Sequence, residues 1–561
     1  MPRLHLIDPC LTHYSSHPYH YARLLLAAAA ERGWEGVVVA NAAFARCAGA
    51  IEGVRVQATL EFPGYSKYTA FGELDRLDAR GRPRFAAPWS AWHARGRREA
   101  RIAAAARGYA GVVAAARPGD VVFIATANEL DVAGLARAIR GGQPPRGIAW
   151  HAQLHTPLYR GHRADLPRQE RRLDRVRRLL RRALEDAGSQ RIALHVTTEE
   201  LAAEYQRLGV GPIDVLPYPV HPPGPRNPGP NGSLRIATLG DARPEKGSGE
   251  LADIVERVAA EPTLSDRACF AVQANLGFPA ASRKAPHRRV RESLARLGEM
   301  PSVRLVSGPL AAEAYAAELA AADVALLPYD QARYRCRCSG VLLEAITVGI
   351  VPVVTGGGWM ARMLTPGLEE HAAAVRAAGQ NFSRRKVIGR LDRGGRAIDL
   401  PELRGASDAA AVIVRLRWPT TPCDWHAEPA VDLTLEQNGR PSGMSVRVAA
   451  GPDGSSAATV FPVPPQPTGR GPSRLLLAAD AAAAGECEIE IDIDSVKLAA
   501  IPPAAAGGIV IAAPADAPAA LADIARHEPH YRSTAARQAA RLSNECDPRR
   551  LASHLLATDL P

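Results

Sequence analysis

The sequence predicts an α/β protein built from two parallel sheets, with an antiparallel β-sandwich inserted into the second. Three observations carry this. Short, nearly continuous apolar runs such as ADVALL (322–327) and GIVPVV (349–354) suit strands covered on both faces, and they alternate with segments of helix length. From roughly 383 to 500 this rhythm gives way to short runs that alternate apolar and polar residues between turn signals. After Gly507 the first rhythm resumes with GIVIAA and two helical stretches, so the β-rich block interrupts a domain that continues beyond it.

The chain has 561 residues, room for three or four domains, and its 47% hydrophobic and 23% charged content is ordinary for a soluble globular protein. With 69 basic against 58 acidic residues the formal charge is +11, which favours anionic partners. Nucleic acid is the weakest of these, because no zinc-finger spacing, RNP-type aromatic strand or basic zipper accompanies the charge. The eight cysteines, Cys10, Cys47, Cys269, Cys336, Cys338, Cys423, Cys487 and Cys546, lack the density of a disulfide framework and read as reduced thiols. Cys336 and Cys338 have no second pair nearby, so no metal is expected. MPRLHLIDP enters a strand directly, without a leader, and no spanning apolar run follows; the expected location is cytoplasmic.

In the first half, Leu4–Ile7 reads as a buried strand followed by a loop with Asp8, His13, Ser15, Ser16 and His17, and a helix from about Tyr19. Ligands of open α/β sheets bind at this strand-end edge. Gly36–Ala40 and Val121–Ile124 are further strands. Gly147–Trp150 is expected to empty into a loop bearing His151, Gln153 and His155, of which His151 and His155 are candidates for a transfer site; the bland alternative is imidazole bonded to backbone. Arg163–Arg182 is a basic helical segment whose apolar side holds Leu173, Leu179 and Leu180. A solvated face explains it, with a peripheral contact to an anionic inner membrane leaflet as the sharper alternative. After Ala193–Thr197, Glu199–Leu208 and Ile213–Leu216, the Pro/Gly/Asn-rich 219–232 reads as a linker, closing a domain at 1–218.

The second domain is expected at 233–365 plus 506–561, with the insert at 366–505. Leu234–Leu239 leads into Gly240-Asp241-Ala242-Arg243-Pro244-Glu245-Lys246-Gly247, where glycine permits close backbone approach and Arg243 and Lys246 supply cations for a diphosphate. Cys269–Gln273, Val303–Val306 and Ala322–Leu327 are further strands. Ser339 then opens a helix whose first N–H groups, at Ser339-Gly340-Val341, make a phosphate seat, and Glu344, one turn on, suits a ribose diol. Within the insert, Trp418, Trp425 and His426 are candidates for a sugar-stacking platform and Asp492 with Asp494 for a calcium pair, against the plainer readings of core tryptophans and an edge charge pair.

SGVLLEAITVGIVPVV resembles the nucleotide-sugar signature of family 4 retaining glycosyltransferases (glycosyl transferases group 1), and GDARPEKG resembles their diphosphate loop. The resemblance implies the GT-B fold, two Rossmann-like domains facing across a cleft, the first on the acceptor side and the second binding the donor. It implies a hexosyltransferase-like enzyme of glycan or polysaccharide biosynthesis. The donor is a nucleotide-diphosphate sugar, the acceptor a glycan or lipid-linked hydroxyl, and no metal or other cofactor is required. On it, Gly240, Arg243, Lys246, Arg337, Ser339, Gly340, Val341 and Glu344 bind donor, and His151, His155, Arg243 and Lys246 serve transfer. Two departures stand out. Asp241 occupies the position after the first glycine where many members have arginine, and Cys336 lies eight residues before Glu344, where the family has a carboxylate. The second leaves open a catalytically silent GT-B scaffold whose insert is an interaction module.

Overall fold

The computed structural model describes residues 1–14, 17–46, 51, 53–62, 88–158, 166–206, 208–221, 233–356, 358–364, 366–367, 370, strand segments between 382 and 496, 503–511 and 513–557. Ser15, Ser16, Cys47, Cys423, Trp418, Trp425, His426 and most of the 219–232 linker lie outside the described residues. Two compact units emerge: Met1–Pro222 with Ser543–Pro561, and Pro223–Leu542.

The first unit carries a seven-stranded parallel sheet in the order β3-β2-β1-β4-β5-β6-β7. Its strands are β1 (Arg3–Asp8), β2 (Glu35–Asn41), β3 (Arg55–Leu60), β4 (Val121–Ala127), β5 (Ala149–Leu154), β6 (Ile192–Val196) and β7 (Ile213–Val215). The central β4 and β5 are buried at every position, as continuous apolar runs demand, whereas the edge strand β3 is largely open. Helices α1 (His17–Ala30), α2 (Pro88–Ala115), α3 (Glu129–Gly142), α4 (Leu166–Asp186) and α5 (Glu199–Gln206) supply the crossovers. Asn128 starts α3 by accepting from the Leu130 and Asp131 N–H groups while the Asp131 carboxylate accepts from the Asn128 N–H, a reciprocal cap. In α4, Leu173, Val176 and Leu180 form the buried side opposite the arginines.

In the second unit a six-stranded parallel sheet runs β10-β9-β8-β11-β12-β21. It comprises β8 (Leu234–Thr238), β9 (Ala268–Gln273), β10 (Val303–Val306), β11 (Val324–Leu327), β12 (Val351–Thr355) and β21 (Ile509–Ile511), with α6 (Leu251–Ala259), α7 (Ala285–Gly298), α8 (Ala312–Ala320), α9 (Gln331–Tyr334), α10 (Gly340–Val348) and α11 (Trp359–Arg362) between them. Ile236, Val255, Val324, Val353, Ile509 and Leu521 belong to one core. The pairing of Val353 with Ile509 bridges a long excursion: strands β13 to β20 intervene in the chain, forming two four-stranded antiparallel sheets, β13-β20-β15-β18 and β14-β19-β16-β17. Their ranges are β13 (Phe382–Leu391), β14 (Arg396–Asp399), β15 (Ala411–Arg417), β16 (Ala430–Gln437), β17 (Arg440–Ala449), β18 (Thr459–Pro462), β19 (Ser473–Ala479) and β20 (Cys487–Val496). Asp492 and Asp494 lie on β20 in register with Lys386 and Arg384 of β13.

Two boundaries differ from the sequence reading. β5 extends to Leu154, so His151 and Gln153 are strand residues and only His155 follows the strand end. The 506–561 segment does not stay together either. After α12 (Ala517–Arg526), the helix α13 (Glu528–Glu545) carries the chain to the first unit, where α14 (Pro548–Leu556) packs on α1 and buries Leu551, Ala552, Leu555 and Leu556.

Candidate functional site

Because every strand of the second sheet runs the same way, the loops after β8, β9, β11 and β12 leave from one edge. There the two sequence motifs meet. Gly240 has φ +92° and donates its N–H to Gln273 Oε1 at 2.7 Å; a Cβ on it would stand 2.6 Å from Lys246 Nζ and 3.6 Å from Val341 Cγ2. The bare glycine backbone is what lets the ammonium sit against it. Lys246 ends a short 3-10 turn, Pro244–Lys246, closed by Gly247 at φ +72°, where a Cβ would stand 2.2 Å from the Pro328 carbonyl oxygen. Burial pulls the Lys246 ammonium down to about 8, with the Arg243 cation adding to the shift and the Asp241, Glu245 and Glu344 carboxylates opposing it. Its Nζ also lies 5.7 Å from the centre of the Tyr329 ring, within cation–π range.

Arg243 is held, not loose. Its Nη2 is 2.5 Å from Asp241 Oδ2, the other Asp241 oxygen accepts from Asn275 Nδ2 at 2.7 Å, and its side chain lies over Gly277, whose Cβ would stand 2.3 Å from Nε. Asp241 therefore fixes the arginine two positions on. Ser339 caps α10, its Oγ accepting from the Leu342 N–H at 3.3 Å, and Gly340 opens the helix as the sequence predicts. Glu344 accepts from the Tyr315 hydroxyl at 2.7 Å; burial pushes its carboxyl up to about 7, the Tyr315 bond and the Lys246 charge pulling the other way. Cys336 is 1% exposed, so the position expected to hold a carboxylate is part of the interior. Arg337 is half-buried beside Tyr334, whose ring centroid is 4.5 Å from that of Tyr329. The loop carrying these residues is pressed against Gly358, where a Cβ would meet the Arg335 Cα and carbonyl oxygen at 2.7 Å.

Gly240, Arg243, Lys246, Ser339, Gly340, Val341 and Glu344 thus share one sheet edge, while His151 and His155 belong to the other unit. In that unit His155 Nε2 lies 2.7 Å from the Ala125 carbonyl oxygen, the backbone-bonded arrangement, and burial pulls it down to about 4. His151 is 2% exposed in mid-strand, with Nδ1 2.9 Å from His195 Nε2 and the two rings stacked. Burial, then the His554 charge, pulls His151 down to about 4. It is a neutral core histidine and not a loop residue. At the end of β1, Asp8 is fully enclosed, accepts from Thr126 Oγ1 and from the Cys10 N–H at 2.8 Å, and is pushed by burial up to about 6.

Sequence reasoning missed Gln273, Asn275, Tyr315 and Tyr329. The first two follow the pattern that marks the known motifs, polar residues at a strand's carboxyl end, and were findable on that signal. Tyr315 lies in an otherwise unremarkable helix and becomes visible only through its bond to Glu344.

No family model matches the chain, and no curated protein sequence does. Solved structures show likeness at low identity. Sucrose-phosphate synthase from Thermosynechococcus elongatus is 16% identical with a TM-score of 0.44, the match covering 65% of this chain and 84% of that one. A UDP-forming trehalose-phosphate synthase from Burkholderia xenovorans is 12% identical with a TM-score of 0.43, covering 65% and 87%. WaaG, a glycosyltransferase involved in lipopolysaccharide biosynthesis, is 15% identical with a TM-score of 0.36, covering 65% and 84%. Each is a likeness to a solved structure, and none assigns a residue of this chain a role.

Proposed function

We propose that the chain is a retaining glycosyltransferase of the GT-B type, moving a sugar from a nucleotide-diphosphate sugar to the hydroxyl of a glycan or lipid-linked acceptor. The observation that carries this reading is the placement of the Lys246 ammonium against Gly240 and beside Val341, which brings the cationic loop and the start of α10 to one point. A buried ammonium next to a held arginine and a helix N-terminus suits a diphosphate that gains negative charge as it leaves. In this reading the bond from the sugar's anomeric carbon to the phosphate oxygen breaks and a bond to the acceptor oxygen forms. The acceptor's proton departs with the nucleoside diphosphate.

Each residue has a task. Arg243 and Lys246 balance the leaving charge, Ser339 and Gly340 offer backbone N–H groups, and ionised Glu344 accepts from the ribose hydroxyls. Arg337 takes a phosphate or acidic sugar in place of the family's carboxylate contact. His155, just beyond the end of β5, is the transfer-site histidine of the first unit, and His151, buried within β5, takes no part. These groups position charge without a metal. The two antiparallel sheets serve as a jelly-roll-like β-sandwich that binds glycan, and the arginines of α4 provide a peripheral membrane contact on the cytoplasmic side. No helix among the described residues is long and apolar enough to cross a membrane.

The silent-scaffold reading draws on a specific observation, the buried Cys336. A panel of UDP, GDP and ADP sugars separates the two. Thermal stabilisation with release of nucleoside diphosphate supports the enzyme, stabilisation without release across varied acceptors supports the scaffold, and no stabilisation by any nucleotide overturns both. Lys246→Ala is expected to abolish the stabilisation; an unchanged shift would remove Lys246 from the diphosphate site.

A further inference from the structure

The first unit contains a side-chain cluster that the donor chemistry does not use. His195 and Asp214 are register partners on the adjacent parallel strands β6 and β7 and so share a face of the sheet, and His554 of α14 meets the His195 ring edge-on, the centroids 5.7 Å apart. One ligand-type atom from each of the three lies within 4.8 Å of the other two. We propose that His195, Asp214 and His554 bind one divalent transition-metal ion of the zinc type, tying the C-terminal helix to the edge of the first sheet.

Three features fit a metal better than a chance gathering of polar groups. His195 is 2% exposed, its Nε2 is engaged 2.9 Å from His151 Nδ1, and its Nδ1 is buried with no hydrogen-bond partner. Leaving such a nitrogen unsatisfied is costly, and a metal satisfies it. The bond to His151 is the kind of outer contact that orients a liganding imidazole: with Nε2–H donated to His151, the Nδ1 lone pair is the one presented. Asp214 and His554 are exposed. Tetrahedral zinc asks for ligand atoms roughly 3.3 Å apart, and rotation of these two exposed side chains about a fixed His195 closes the difference. Two imidazoles, one carboxylate and a water complete four-coordination.

The consequence is structural. Its ligands come from the sheet and from the chain's last helix, so the ion fastens α14, which arrives from the other unit through α13. The test uses the untagged full chain with its thiols kept reduced. Zn²⁺ is titrated by calorimetry and Co²⁺ by visible absorption, on wild type, His554→Ala and Asp214→Asn, whose exposed positions leave folding intact by circular dichroism. Expected are one equivalent of Zn²⁺ on wild type, a Co²⁺ spectrum with d–d bands and no thiolate charge-transfer band, and affinity at least ~10-fold weaker in each variant. No binding, a thiolate band, or wild-type affinity in either variant would overturn the proposal. None of these outcomes depends on nucleotide binding.

Discussion

Lys246 and Glu344 are opposite charges displaced toward each other on the pH scale, the lysine down to about 8 and the glutamate up to about 7. Donor binding needs both ionised, the glutamate to accept from a ribose diol and the lysine to meet the diphosphate. Below about 7 Glu344 takes a proton; above about 8 Lys246 loses one. Affinity for a nucleotide sugar, which has no terminal phosphate to titrate, is therefore expected to peak between these values and fall on both sides, as read by calorimetry across pH. Glu344→Gln should weaken binding and remove the acid limb, and Lys246→Met should remove the alkaline one. A profile as bell-shaped in the variants as in wild type would contradict the assignment. Both residues were legible in the sequence because each stands at a fixed offset in a loop or helix that follows a strand. Their shifted ionisation was not, since it depends on burial and on Tyr315 and Arg243, partners distant in the chain or reached only by the loop's fold. His151 shows the reverse case: the residue type was noticed, and only the structure shows that it faces His195 inside the sheet.

At the scale of elements, parallel strands and their helices were readable from apolar runs, whereas strand ends were not. The expected stop after Trp150 failed because the central strand runs on through His151 and Gln153, one atom of each being bonded, His151 Nδ1 to His195 and Gln153 Oε1 to the Tyr21 hydroxyl at 3.1 Å, while the Nε2 of each is buried without a partner. Turn glycines show what composition cannot: how near the neighbouring backbone comes. Gly247→Ala adds a Cβ 2.2 Å from the Pro328 oxygen at a positive φ, so it is expected to displace the lysine turn and lower the melting temperature of the second unit, at a cost of about 1–3 kcal/mol. Gly358 has extended φ, so its alanine variant acts by collision alone, 2.7 Å from the Arg335 backbone. Moving that backbone moves Arg337 and the approach to α10. Gly358→Ala should weaken donor affinity ~10-fold, about 1.4 kcal/mol, in a chain that still folds by circular dichroism; wild-type affinity would mean that this loop does not shape the site.

For the whole molecule, the inserted antiparallel block was visible as a change of period and the pairing of β12 with β21 accounts for the resumed rhythm. The destination of the last helix was hidden, because an amphipathic pattern reports that a face is buried and not which sheet covers it. Leu551 and Leu555 of α14 are fully buried in the first unit, and around them Arg549 pairs with Glu31 and Arg32 donates to Ser553. Those polar contacts are exposed and contribute little; the leucines hold the helix. Leu555→Ala is accordingly expected to cost about 2–5 kcal/mol, and Arg549→Ala far less because its ion pair lies in solvent, measured as loss of stability of the first unit in urea. Since the second unit keeps its own core around Val324 and Val353, a nucleotide sugar should still stabilise the Leu555→Ala chain's second transition. If instead Leu555→Ala leaves the first transition unmoved, α14 is an attached tail and the first unit stands without it. If it abolishes both transitions together, the two units unfold as one.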